Sequence, residues 1–171
     1  QKSLKRFFCK HTEHKEMIPK TSFTSPMHPL LQKQDSLYLE AIELLQKILF
    51  PALADFGDAI VGGSYVYKLL SYADIDIDIV SDTVSDQTYN ELCNKILSLE
   101  EVVEFKTLNR ADRPVTSPRP KGYWLSPKIQ FGNNVWNIDI WFQKPEWYTG
   151  NTLLYKDALQ AISDEKRIVI L

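Results

Sequence analysis

Cysteine is scarce in this chain. Cys9 and Cys93 are the only two among 171 residues, too few for a disulfide framework and in keeping with a reducing compartment. Long apolar runs are missing as well. No stretch approaches the roughly 20 residues that a membrane-crossing helix requires, and the N-terminus lacks the apolar core of a signal peptide. Neither sign of charge dominates: 20 Lys and Arg against 22 Asp and Glu leave a formal net charge of −2. That balance makes no global case for binding nucleic acid or membrane, so any basic surface has to be local. Internal repeats are absent too. The expectation is a soluble, cytoplasmic protein of one domain plus extensions, with 44% hydrophobic residues to build a core. The chain does not begin with methionine, which suggests that residues upstream are absent.

What is present is unevenly distributed. Residues 1–35 are polar and Lys-rich, with Pro19, Pro26 and Pro29 and no sustained apolar period; they read as a flexible or partner-draped arm. Cys9, His11 and His14 fall close together there, but their spacing fits no zinc finger and no second ligand pair follows.

The stretch Ala59–Asp78 organises the rest. A short apolar run, Ala59–Val61, precedes Gly62-Gly63-Ser64. If the run is a strand, the two glycines let the backbone bend tightly and approach a ligand without a Cβ in the way. Ser64 is placed to cap a following helix of about two turns, and the amides of such a turn make a phosphate seat. Then comes Asp74-Ile75-Asp76-Ile77-Asp78-Ile79. Its period of two makes a strand with isoleucines on one face and carboxylates on the other, spaced roughly 6–7 Å apart. Crowded like charges are costly unless a cation compensates them. A phosphate seat beside a carboxylate ledge points to metal-dependent phosphoryl chemistry.

Other elements fall around this stretch. Leu37, Ala41, Leu44, Leu45 and Ile48 recur at helical spacing after a cap at Asp35 or Ser36, and Pro51 closes the pattern. Ser85 caps another helix, with Tyr89, Leu92, Cys93 and Ile96 on one face; Cys93 is then core filler. Val102–Leu108 reads as a strand, and residues 109–122 as a loop rich in Pro, Arg and Lys. Tyr123–Phe131 and Val135–Phe142 read as a hairpin joined by Gly132-Asn133-Asn134. A last helix is expected over Thr152–Ile162, and Ile168–Leu171 reads either as an edge strand or as the start of an element cut off. The pattern predicts an α/β (α+β) fold, a mixed and mostly antiparallel sheet with helices packed on it. Its core is expected over residues 36–142, followed by a C-terminal piece, 143–171.

A second strand repeats the alternation. In Trp136-Asn137-Ile138-Asp139-Ile140-Trp141, Ile138 and Ile140 point one way while Asn137, Asp139 and Trp141 point the other. An acid amid apolar residues is expensive unless solvated or compensated. Lying beside the first acidic strand, Asp139 would complete a three-carboxylate cage; alone, it would be one solvated acid on a half-exposed hairpin.

Taken in order, Val61, Gly62-Gly63-Ser64, the Asp-Ile-Asp strand and Asp139 resemble the signature of the DNA polymerase beta-like nucleotidyltransferase superfamily, over roughly residues 37–142. The resemblance implies that fold, in a small single-domain member. It also implies transfer of a nucleoside monophosphate from a nucleoside triphosphate to an acceptor hydroxyl, with release of pyrophosphate. Members hold two Mg²⁺ ions on three carboxylates, one ion activating the acceptor oxygen and the other bracing the triphosphate. Carried over, Asp76, Asp78 and Asp139 would be the catalytic, metal-binding acids. Gly62, Gly63 and Ser64 would hold the phosphates. Three acids alternate where the family needs two, so the strand admits Asp74/Asp76 or Asp76/Asp78. Strands of the family often carry a polar residue before the pair and aliphatics after it, as Ile79-Val80 do here. Asp74/Asp76 would leave Asp78 as an extra charge, so the resemblance favours Asp76/Asp78.

Lys68 and Lys121 are candidate nucleotide ligands, with Lys128 near by. Arg110, Arg113 and Arg119 share the proline-rich loop with Lys121 as a candidate positive flap. Tyr65 and Tyr123 suit either base stacking or packing, and Trp124, Trp136, Trp141 and Trp147 suit core or interface. The acceptor is left open between small molecule, protein and RNA; near-neutral charge argues mildly against a processive polymerase. The alternative is a catalytically inactive nucleotide- or partner-binding relative. Haloacid-dehalogenase phosphatases and sugar-nucleotide glycosyltransferases also use Asp-x-Asp, but neither explains the Gly-Gly-Ser turn or Asp139.

Overall fold

In the computed structural model, residues 28–112, 120–148 and 162–171 are described. Five strands form one sheet in the order β1-β2-β5-β4-β3. They are β1 (Asp58–Val61), β2 (Asp74–Val80), β3 (Val102–Asn109), β4 (Tyr123–Phe131) and β5 (Asn134–Gln143). β2 and β5 are parallel, and the other neighbours are antiparallel. This is the mixed, mostly antiparallel sheet that the alternation predicts. β4 and β5 join through Gly132-Asn133, with Gly132 at φ 55°, a conformation that a residue bearing a Cβ rarely adopts.

One face of this sheet is dry. Ile75, Ile77, Ile79, Ile138, Ile140, Phe142, Leu125, Ile129 and Trp136 are each no more than 1% exposed. They share a core with Leu37, Ala41 and Leu44 of helix α1 (Pro29–Leu44) and with Leu92 and Ile96 of α4 (Asp86–Leu97). Ser85 caps α4 as expected, its hydroxyl accepting from Thr88 N–H while the Thr88 hydroxyl bonds the Ser85 amide. Cys93 is partly buried against the same core. On this same side Glu40 of α1 accepts hydrogen bonds from Trp136 Nε1 at 2.8 Å and from the Asn134 side-chain amide at 3.1 Å, pinning α1 to the start of β5.

Three expectations are corrected. The first helix starts at Pro29, capped by His28, rather than at Asp35 or Ser36. It also does not stop at Pro51: a π turn, Leu45–Leu49, leads into α2 (Phe50–Leu53), with Pro51 in its first turn. In the π turn Phe50 N–H reaches the Leu45 carbonyl, and Pro51 falls in the first turn of α2, a position that tolerates its missing N–H. Near the C-terminus, Ile168–Leu171 is not an edge strand. Ile168, Val169 and Ile170 belong to helix α5 (Asp164–Ile170), which Ser163 caps through Lys166 N–H and whose first turn carries Asp164 and Glu165. Capping outweighed the β-preference of a short Ile-Val-Ile run. The helix expected over Thr152–Ile162 lies outside the described residues, except for Ile162, which is not helical. No described helix is long and apolar enough to cross a membrane.

Candidate active site

The acids occupy the other face. Along β2, burial alternates strictly, with each isoleucine buried and each aspartate half-buried. Along β5 the same alternation leaves Asn137, Asp139 and Trp141 half-buried between buried neighbours. The parallel register then decides who meets whom: Asp74 lies beside Asn137, Asp76 beside Asp139, and Asp78 beside Trp141. Paired residues in neighbouring strands are about 4.8 Å apart and point to the same side. Asp76 and Asp139, 63 positions apart in the chain by their numbers, are therefore immediate neighbours.

The Gly-Gly-Ser turn arrives at the same place. β1 runs antiparallel to β2, pairing Ile60 with Asp78 and Val61 with Ile77, and Gly62 N–H donates to the Asp76 carbonyl at 2.9 Å. Gly63 follows at φ 60°, and a Cβ on it would overlap the Asp76 carboxylate, whose Cγ would be 2.8 Å away. Glycine is required here twice over, for the left-handed backbone and for the space that Asp76 fills. The turn opens α3 (Gly63–Val66), a single turn rather than the expected two, with Gly62 at its N-cap. Ser64 sits inside the turn, and no side chain caps it.

Electrostatics separate the three acids of β2. Burial pushes the Asp74 carboxyl up to about 6, with the charges of Asp76 and Asp139 adding to it. Asp76 is raised by burial and then by Asp139. Asp78 is pushed to about 6 by burial and then by Asp76. Asp139 thus bears on Asp74 and Asp76, whereas Asp78 is flanked by Ile60 and Trp141. Hard oxygen donors in a ledge of mutually repelling carboxylates suit a cation such as Mg²⁺. Among the described residues, no three His, Cys, Asp or Glu groups already converge tightly enough to hold an ion.

The remaining candidates divide. Lys68 follows the end of α3 at φ 52° with its ammonium 5.4 Å from the centre of the Tyr38 ring, directed to α1. Lys121 lies at the other end of the site. Its carbonyl accepts from Gln143, four residues past Asp139, and its ammonium lies 4.8 Å from the Trp147 ring centre. Lys144 reaches the same ring at 5.1 Å. Lys128, beside Asn137 on the acid face, is paired at 2.7 Å with Glu104. Hydrogen bonds from Lys106 and Lys128 pull the Glu104 carboxyl down to about 2. Arg110 donates its backbone N–H to Gly122, while Arg113 and Arg119 lie outside the described residues, as do Cys9, His11 and His14.

The aromatic candidates resolve toward packing. Tyr65 stacks on Tyr38 at 5.0 Å, and Tyr123 is buried, stacked on Tyr89 and bonded to Asp86 at 2.7 Å. Trp136 is in the core, whereas Trp141 stands on the acid face. The pattern of residues did not single out Asn137 as a neighbour of Asp74; only the register reveals it. A depression of about 330 Å³ lies elsewhere, between Lys47, Pro51, Lys95 and Glu101.

No protein-family model matches the chain, and no curated protein matches it. It is similar in fold to solved polymerase structures. One is the poly(A) polymerase complex GLD-2–GLD-3, at 15% identity and a TM-score of 0.43, covering 68% of this chain and 40% of that one. Another is the Cid1 poly(U) polymerase with Mg and 3′-dATP bound, at 19% identity and a TM-score of 0.43, covering 81% and 38% respectively. The chain spans less than half the length of either.

Proposed function

We propose that this domain transfers a nucleoside monophosphate from a nucleoside triphosphate to an acceptor hydroxyl. The observation that carries the proposal is the meeting of three distant segments: Asp76 lies beside Asp139 in the parallel register, and the Gly62-Gly63 turn closes directly over Asp76. A solvated acid on a hairpin requires no such convergence.

In this reading Asp76 and Asp139 form the centre of the site, and Asp74 completes it more naturally than Asp78. The aliphatics Ile79-Val80 favour the Asp76/Asp78 pairing on sequence alone. Support for Asp74/Asp76 comes from placement. Asp74 is at the end of β2 nearer the Gly-Gly-Ser turn and feels the charge of Asp139, whereas Asp78 lies one pair farther along, beside Trp141. The three carboxylates would hold Mg²⁺, which when bound supplies positive charge against the phosphoryl oxygens and the leaving pyrophosphate.

The protein's own groups do the rest. Backbone amides of Gly63 and Ser64 face the β- and γ-phosphates, aided by the Ser64 hydroxyl. The acceptor oxygen bonds to the α-phosphorus as the bond to pyrophosphate breaks. Asp139, across from Asp76, is placed to take the acceptor's proton. Lys121, at the far end of β5, is left for the acceptor or the base rather than the triphosphate tail.

The test is transfer of label from the α-phosphate of each NTP into RNA, protein and small-molecule fractions, with pyrophosphate measured in parallel. Release that depends on Mg²⁺ and on Asp76 is expected. Equal release by Asp76→Asn would reject the reading.

A further inference from the structure

We infer that Arg167 of α5 is a positioning residue that fastens the phosphate-facing turn from behind. Its mechanical part rests on geometry, and its kinetic part rests on the nucleotidyltransferase reading above.

Arg167 is only 14% exposed at its side chain, and its three nitrogens serve three segments. Nε donates to the carbonyl of Lys68 at 3.3 Å, 99 residues away in sequence. Nη1 donates to Asp164 at 2.8 Å, within α5. Nη2 lies 3.6 Å from the Asp35 carboxylate on α1. A rigid, planar fork suits this task, which a single ammonium cannot copy.

The residue it grips is unusual. Among the described residues, Lys68 is the one non-glycine residue with positive φ. The reversal there brings Leu69 N–H onto the Ser64 carbonyl at 2.9 Å and Lys68 N–H onto Tyr65 at 3.1 Å, closing α3. A side-chain-bearing residue holds such a conformation only when its surroundings over-determine it. Arg167 is one such restraint. The other is α1, where Tyr38 stacks on Tyr65 and lies beneath the Lys68 ammonium. Neither of Arg167's two hydrogen bonds involves Asp74, Asp76 or Asp139, nor does the looser ion pair that Nη2 makes with Asp35 without a hydrogen bond. Loosening its grip should therefore move the turn more than the carboxylates.

The experiment compares Arg167→Ala and Arg167→Gln with the unmodified chain by amide hydrogen exchange and by NTP kinetics. In Arg167→Ala the Lys68 and Leu69 amides should exchange roughly tenfold faster. The KM for NTP should rise about five- to tenfold with kcat within about twofold. Arg167→Gln keeps a neutral donor and should recover part of the protection. Unchanged exchange at these two amides in Arg167→Ala would overturn the inference, and so would a fall in kcat at constant KM. If Arg167→Ala does not fold, Arg167→Gln is read by the same two measures, and wild-type values for both would overturn it. If the unmodified chain turns over no NTP, the functional reading fails, and exchange alone judges the fastening.

Discussion

Strand β2 presents two faces one residue apart, and they obey opposite rules. Ile75, Ile77 and Ile79 are at most 1% exposed and lie in a continuous apolar core. Asp74, Asp76 and Asp78 share their backbone, stay half-buried, and are held above their ordinary carboxylate range by burial and by neighbouring acids, Asp139 among them. The isoleucines stabilise the strand's position, and the acids inherit that position at a cost. A one-residue slip between β2 and β5 would turn both sets over, so the dry face fixes the register that brings Asp76 to Asp139. Folding free energy and chemistry are thereby assigned to opposite sides of one ribbon, and substitutions on the two sides should separate them.

The largest effect is expected on the wet face. Asp76→Asn should lower Mg²⁺-dependent pyrophosphate release by at least about 100-fold, the scale seen when one preorganised charge-stabilising group is lost. Its melting temperature should be unchanged or higher, because a crowded like charge is gone. A variant that is both active and unstable would mean that the two faces are not divided in this way.

On the dry face the signs reverse. Ile77→Ala should lose about 2–5 kcal/mol of stability in urea titration, from lost burial and the cavity left behind. Below the denaturation midpoint, its turnover per folded molecule should stay close to that of the unmodified chain. Loss of turnover in fully folded Ile77→Ala would show that the ledge needs more than its register.

Gly63→Ala should damage both properties at once, which sharpens the comparison. The left-handed backbone at φ 60° costs an alanine about 1–2 kcal/mol, and the new methyl occupies the space of the Asp76 carboxylate. Reduced stability together with reduced turnover is expected. Wild-type turnover in this variant would detach the turn from the site.

Much of this division was legible before any coordinates, because period-two alternation in both strands states which side chains share a face. The hairpin at Gly132 and the cap at Ser85 were equally plain, each needing only a local signal. Pairing was not. Nothing in the pattern of β2 says whether Asp74, Asp76 or Asp78 stands opposite Asp139, since register depends on long-range packing of isoleucines against α1 and α4. The same holds for Arg167, whose partners Lys68 and Asp35 lie 99 and 132 positions away by their numbers. Pro51 misled because a proline is normally read as a helix end, and a π turn is not visible in apolar spacing. Ile168–Leu171 misled because its β-branched run is too short to outweigh the Ser163 cap before it.

The smallest effect tests the cost carried by the wet face. The folded chain keeps a proton on Asp78 up to about pH 6, whereas the unfolded chain releases it near the ordinary 3.8. This group therefore favours folding fully below about pH 3.8, and that contribution is lost as pH rises through about 6. Asp78→Asn imitates the protonated form at every pH. The two proteins should match in stability near pH 3.8 and diverge as pH rises, with the variant ahead above about pH 6. The gap should be about 1 kcal/mol, since solvent screens a carboxylate that is only half-buried. Millimolar Mg²⁺ should narrow the gap if Asp78 shares the ion with Asp76, and leave it unchanged if Asp74 does. Urea titrations at several pH values, with and without Mg²⁺, thus read the register of the carboxylate pair from stability alone. Equal stability of the two proteins at pH 7.5 without Mg²⁺ would show that Asp78 carries no such cost.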